Sequence, residues 1–146
     1  MLAFFPNAVR KGHVMSSTPL IGSVIGGPKM LLRVEGSVLF AASIAVFAAQ
    51  GQQWWLYPAL LLVPDIFMLG YLRNTKLGSI IYNLGHSYPA AALVTALGFI
   101  LGSGLTVALG AIWFGHIGWD RMFGYGLKYS TSFKHTHLGD LEKPKK

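Results

Sequence analysis

The chain has no cysteine, which excludes disulfides, thiolate metal sites and cysteine nucleophiles. Acidic residues are scarce as well: five, against twelve lysines and arginines. Charge of either sign makes up 12% of the residues, where a soluble domain carries about 25%. Apolar residues fill the space instead, at 53% of the 146 positions, with a mean hydropathy of +0.50. This is the composition of a membrane protein. The length suits one domain of about four crossings of roughly 20 residues each, with no room for a separate soluble domain.

The net charge of +7 is a topology signal rather than a nucleic-acid footprint, because no basic–aromatic binding motif accompanies it. Arg10, Lys11, Lys29 and Arg33 precede the first apolar run; Arg73 and Lys76 separate the second from the third; Arg121, Lys128, Lys134, Lys143, Lys145 and Lys146 close the chain. The connections at Gly51–Gln53 and Gly102–Gly104 carry no charge. That alternation predicts four helices with both termini on the cytoplasmic side.

The expected organisation is all-α: an irregular cytoplasmic or interfacial arm over residues 1–30, a four-helix transmembrane domain over 31–128, and a cytoplasmic tail over 129–146. In the arm, Phe4 and Phe5 precede Arg10 and Lys11, the reverse of a signal peptide's order. The helices are expected at about 31–49, 54–72, 77–101 and 104–128. Trp54, Trp55 and Tyr57 mark the outer interface. Pro64 predicts a kink just before Asp65, and Pro89 one just beyond His86. Gly98 and Gly102 form a small-xxx-small pair suited to close packing.

Within these apolar runs lie ionisable residues: Glu35, Asp65, His86, His116 and Asp120. Each costs about 2.5–3.5 kcal/mol in a bilayer even on the milder scale, so such groups pair, line a wet cavity or bind an ion. Helical rise places Asp65 about 12 Å from the Arg73 turn, and Asn83 and His86 about 10 and 15 Å from Lys76. His116 and Asp120, one turn apart on one face, approach the same side. All four helices thus bring polar groups to the cytoplasmic half.

Two histidines and two aspartates on facing helices are how bundles build metal sites, and Asp65, His86, His116 and Asp120 would suit zinc, iron or manganese. A purely structural hydrogen-bonded network is the competing reading. A proton path is a third, although a cluster in one leaflet does not make a continuous route. His135 and His137 read as interfacial surface residues.

The motifs LRVEGSVLFAAS, PDIFMLGYLRNTKLGSIIYNLGHSYP, IWFGHIGWDRMFGYGLKY and FKHTHLGD, in that order, resemble a group of small bacterial four-helix membrane proteins known only as a domain of unknown function. The resemblance covers about residues 31–140 and implies a fold, and a bacterial cytoplasmic membrane, without an activity. PDI, the GHS histidine and the His-x3-Asp helix are more weakly similar to the LexA-regulated membrane-bound metal-dependent hydrolases. That likeness implies Asp65, His86, His116 and Asp120 as ligands; the family's second aspartate after PDI is Phe67 here, and its paired histidines are reduced to His86.

The leading expectation is a metal-dependent hydrolase acting on a phosphoester or lipid-derived substrate at the cytoplasmic face. Glu35 would be general base or ligand support, Asn83 a hydrogen-bond donor and Arg121 an anion clamp. The alternative is a non-enzymatic subunit of a larger membrane complex, docking through the arm and the basic tail.

Overall fold

Each apolar run meets its prolines differently, and that decides which runs stay continuous helices. A computed structural model describes residues 22–141. Most of the expected arm, residues 1–21, and the end of the tail, residues 142–146, lie outside the described residues.

The first run forms one unbroken helix, α1 (Gly26–Ala49), whose only proline falls in the first turn, where no intrahelical donor is lost. It starts earlier than the expected residue 31. Among the described residues it is the helix long and apolar enough to cross a membrane.

The second run is divided. Helix α2 (Leu56–Leu61) stops before Pro64, and Val63–Leu72 continues as a 3-10 helix with Pro64 in its first turn. The expected kink is therefore a change of helix type. Proline has no N–H, and its ring excludes the carbonyl one α-turn back. Ten residues is long for a 3-10 helix, whose runs seldom exceed about four. Its partner is α3 (Thr75–Gly85), which presents glycine to it: the ring of Phe67 lies where a Cβ on Gly85 would be, and that of Tyr71 where one on Gly78 would be. The turn between them is closed by Asn74, which caps α3 by accepting from the Leu77 N–H at 2.8 Å.

The third run is also broken, where a single kinked helix over 77–101 was expected. Helix α3 ends at Gly85, His86 and Ser87 leave helical geometry, and α4 (Tyr88–Ile100) restarts with Pro89 in its first turn. Proline at 89 removes the donor that would have served Gly85. The Gly85 carbonyl is taken instead by the indole N–H of Trp113, at 2.6 Å.

Helix α5 (Gly104–Phe123) is the central element, with α1 along one flank and α4 along another. Small residues allow these approaches. A Cβ on Gly36 would meet the Gly118 carbonyl, one on Gly98 the Val107 backbone, and one on Gly110 the Thr95 side chain. Gly98 therefore packs against α5, while Gly102 serves the turn, at φ +64°. Across α1 and α2, the Ser43 and Tyr57 hydroxyls bond at 2.6 Å over Gly115.

Helix α5 stops short of the expected Lys128. Gly124, at φ +91°, takes the left-handed conformation that ends a helix. Residues 124–141 fold back as a cap holding a small antiparallel hairpin, β1 (His135–Thr136) and β2 (Gly139–Asp140). Thr136 and Leu138 are fully buried in it. The chain before α1 joins the same cap: the Val24 N–H donates to the His137 carbonyl at 2.7 Å, and the Ser23 hydroxyl to that of Thr136 at 2.9 Å. The described parts of both termini thus meet at one end of the bundle. Away from the cap the outer surface is apolar, with Leu72, Ile100 and Leu93 each more than 70% exposed.

Candidate metal centre

Four residues from three elements converge beneath the cap. Asp65 comes from the first turn of the 3-10 helix, His86 from the α3–α4 break, and His116 and Asp120 from one face of α5. The two imidazole Nε2 atoms stand 2.9 Å apart. Asp65 Oδ1 lies 3.4 Å from that of His86 and 3.6 Å from that of His116; Asp120 Oδ2 lies 3.7 and 3.9 Å from the same two atoms. His86 and His116 are buried, while Asp65 is half-buried. Asp65, His86 and His116 each offer one ligand atom within 4.8 Å of the others.

The supporting contacts fix the imidazoles. His86 Nδ1 lies 2.9 Å from the Tyr82 carbonyl, which can only accept. The proton of neutral His86 therefore sits on Nδ1, and Nε2 presents a lone pair to the cluster. The Tyr82 ring stacks on that of His86 at 3.7 Å, and its hydroxyl donates to Asp120 Oδ2 at 3.1 Å. His116 Nδ1 is buried without a hydrogen-bond partner among the described residues.

Chemically, Asp65, His86 and His116 could hold a metal ion. Ligand atoms about 2.0–2.2 Å from a tetrahedral ion stand roughly 3.3–3.6 Å from one another. The separations within Asp65, His86 and His116 are 2.9 to 3.6 Å, while Asp120 stands outside the group whose ligand atoms are all within 4.8 Å of one another. Imidazoles that ligate a metal commonly donate their other N–H to a carbonyl or carboxylate, the arrangement His86 makes with Tyr82.

A cleft of about 250 Å³ opens beside the cluster. Asp65, Asp120, Lys128 and the hydroxyl-bearing Tyr82 and Tyr125 are its polar lining, and the rest of its wall is mostly apolar. The histidines are absent from that lining, so the carboxylate side of the cluster is the accessible one.

Glu35, Asn83 and Arg121 lie elsewhere. Glu35 is exposed on α1. The Asn83 amide pairs with both backbone groups of Lys128, donating to the carbonyl at 2.9 Å and accepting from the N–H at 2.7 Å, and so pins the cap to α3. Arg121 lies over the Tyr88 ring at 4.6 Å and beside His137. His135 and His137 belong to the cap rather than to the cluster. His137 Nδ1 accepts the Leu127 N–H at 2.8 Å, and burial together with Arg121 holds its pKa below the ordinary histidine value.

Sequence reasoning missed Lys128. It is 5% exposed, with its ammonium 3.9 Å from the Phe133 ring centroid and 4.9 Å from that of Tyr82. Burial pushes its pKa down, opposed by Asp120 and Asp65. Gly124 and Gly126 were the available signal, since two glycines so close to a helix end favour reversal over continuation.

A family profile described as a domain of unknown function, DUF4260, matches residues 29–141. The chain belongs to that family. The DUF4260 match covers every residue of the cluster and the whole described cap. No curated protein and no solved structure matches the chain. The likeness to metal-dependent hydrolases is found by none of these comparisons.

Proposed function

We propose that this DUF4260 protein is an integral membrane protein that binds a divalent metal through Asp65, His86, His116 and Asp120, and uses it to hydrolyse an ester or phosphoester. The observation that carries the reading is the pair of facing Nε2 atoms, 2.9 Å apart and flanked by two carboxylates. Without an ion, His116 would donate from Nε2 to His86, leaving its own Nδ1 a buried lone pair without a partner among the described residues. With an ion, both Nε2 lone pairs would be free to ligate, that of His86 already presented by the contact of its Nδ1 with the Tyr82 carbonyl. A metal held by three of these groups, with the fourth position left to water, would acidify that water and supply a nucleophile near neutral pH. The adjoining cleft gives a substrate access to the carboxylate side.

The membrane part of the reading is supported by dimensions and surface. By helical rise α1 is about 36 Å and α5 about 30 Å long, against a hydrocarbon core of about 30 Å. Outward residues of α1 and α4 include Leu31, Val38, Leu93 and Ile100, all more than half exposed. The charged cap and the Arg73–Lys76 turn would face the cytoplasm.

The test is elemental analysis of the untagged protein in mild detergent, beside His116→Ala and Asp120→Asn. About one equivalent of zinc, iron or manganese is expected, lost in both variants. A well-folded wild type that takes up no metal after reloading overturns the reading. The cluster would then be a hydrogen-bonded network, and the chain a subunit held to partners.

A further inference from the structure

Lys128 is the buried group that the metal reading leaves without a task. Its ammonium lines the cleft and lies against two aromatic rings. Among the described residues no carboxylate stands within ion-pairing distance of it and no hydrogen bond satisfies it. The ammonium itself is not sealed from solvent: it opens onto the cleft, where an anion would meet it. Asp65 and Asp120 share the cleft, yet both turn an oxygen toward the imidazoles.

Charge in the cleft depends on the metal. Two carboxylates and one ammonium leave it net negative and repel an anion. A divalent cation reverses the sign, and Lys128 then becomes the second half of an anion site.

The remaining wall is apolar and reaches the surface. Leu62, Phe133 and Leu141 line the cleft while being 62%, 40% and 36% exposed. Ile66 and Leu69, a turn or two further along the same 3-10 helix, continue the exposed apolar surface. A small hydrophilic anion gains nothing from that wall, whereas an alkyl chain gains roughly fourfold in affinity per buried methylene.

We propose that Lys128 anchors the phosphate headgroup of an amphiphile whose chain lies along the Leu62–Phe133–Leu141 wall, with the headgroup facing the metal centre. The assignment rests on the metal reading above. It makes phosphate-headed lipids or their fragments the substrate class and Lys128 the residue that selects them.

The experiment loads the full chain with cobalt(II) in neutral detergent and follows the visible spectrum during titration with inorganic, methyl, butyl and hexyl phosphate. Affinity is expected to rise along that series. Lys128→Met is expected to weaken hexyl phosphate by about tenfold or more, the worth of a charge-assisted hydrogen bond, at unchanged cobalt stoichiometry. Lys128→Gln gives the same readout if the methionine variant misfolds. Equal affinity for inorganic and hexyl phosphate overturns the amphiphile and leaves a free-phosphate site. A cobalt-loaded wild type blind to all four phosphates, or variants that bind as tightly as wild type, overturns the anchor. Failure of the wild type to load cobalt overturns the metal centre itself.

Discussion

His86 and Tyr82 are joined twice: the imidazole Nδ1 is 2.9 Å from the Tyr82 carbonyl, and the rings stack at 3.7 Å. One bond sets the tautomer and the other the ring plane, so Nε2 is aimed at His116 before any ligand arrives. Preorganisation of this kind converts metal binding directly into stability. At a free metal concentration of about a thousand times Kd, linkage predicts roughly 4 kcal/mol of added stability. Zinc or manganese is therefore expected to raise the thermal midpoint of wild type and leave His116→Ala unmoved. Equal shifts in both proteins would locate the binding elsewhere.

Tyr82 also holds Asp120 through its hydroxyl, at 3.1 Å. Tyr82→Phe keeps the ring stack and removes only that bond. Supporting contacts of this type alter metal affinity by about 10- to 100-fold when lost. A competition titration against a chromogenic chelator should show a loss in that range, with an unchanged helical signal. An affinity equal to wild type would reduce the tyrosine to packing.

How far these features could be read from sequence depended on the physics behind each. Asp65, His86, His116 and Asp120 stood out because ionisable groups in apolar runs demand a reason, and helical rise put them at similar distances from the basic turn. They do come together. Pro64 and Pro89 were readable as disturbances but not as breaks, because the outcome depends on who takes the freed carbonyl. Trp113, far along the chain, takes that of Gly85. Lys128 was counted among the charges ending a helix, since Gly124 and Gly126 hint at a reversal but nothing local reveals that it returns the lysine over Tyr82.

Gly118 tests the packing that carries His116 and Asp120. A Cβ there would fall 2.7 Å from the Gly36 carbonyl oxygen and 2.8 Å from the Phe40 nitrogen, backbone atoms that cannot rotate away. Gly118→Ala is expected to destabilise by about 1–3 kcal/mol through forced separation of α1 and α5. Gly27→Ala, with nothing within 4 Å, should be neutral or slightly stabilising. Chemical unfolding in detergent compares the two; matching midpoints would mean that α1 yields at this crossing.

His137 should make the cap sensitive to pH. Its Nδ1 accepts the Leu127 N–H at 2.8 Å, so the neutral ring carries its proton on Nε2, where Arg121 Nη1 stands 3.4 Å away. Two donors then face each other, and a second ring proton would cost the Leu127 bond as well. Burial and Arg121 accordingly hold the folded pKa below the ordinary value. The unfolded chain takes up a proton near pH 6.5, ahead of the folded one. His137's contribution is thus complete above about pH 6.5 and declines as pH falls through that value toward the lower folded pKa. His137→Asn, whose Oδ1 takes the place of Nδ1 and can still accept from Leu127, should lack this decline. Proteolysis of the segment after Gly124, followed between pH 7.5 and 5, reads the difference. Parallel curves for wild type and variant would assign any acid sensitivity to the other histidines.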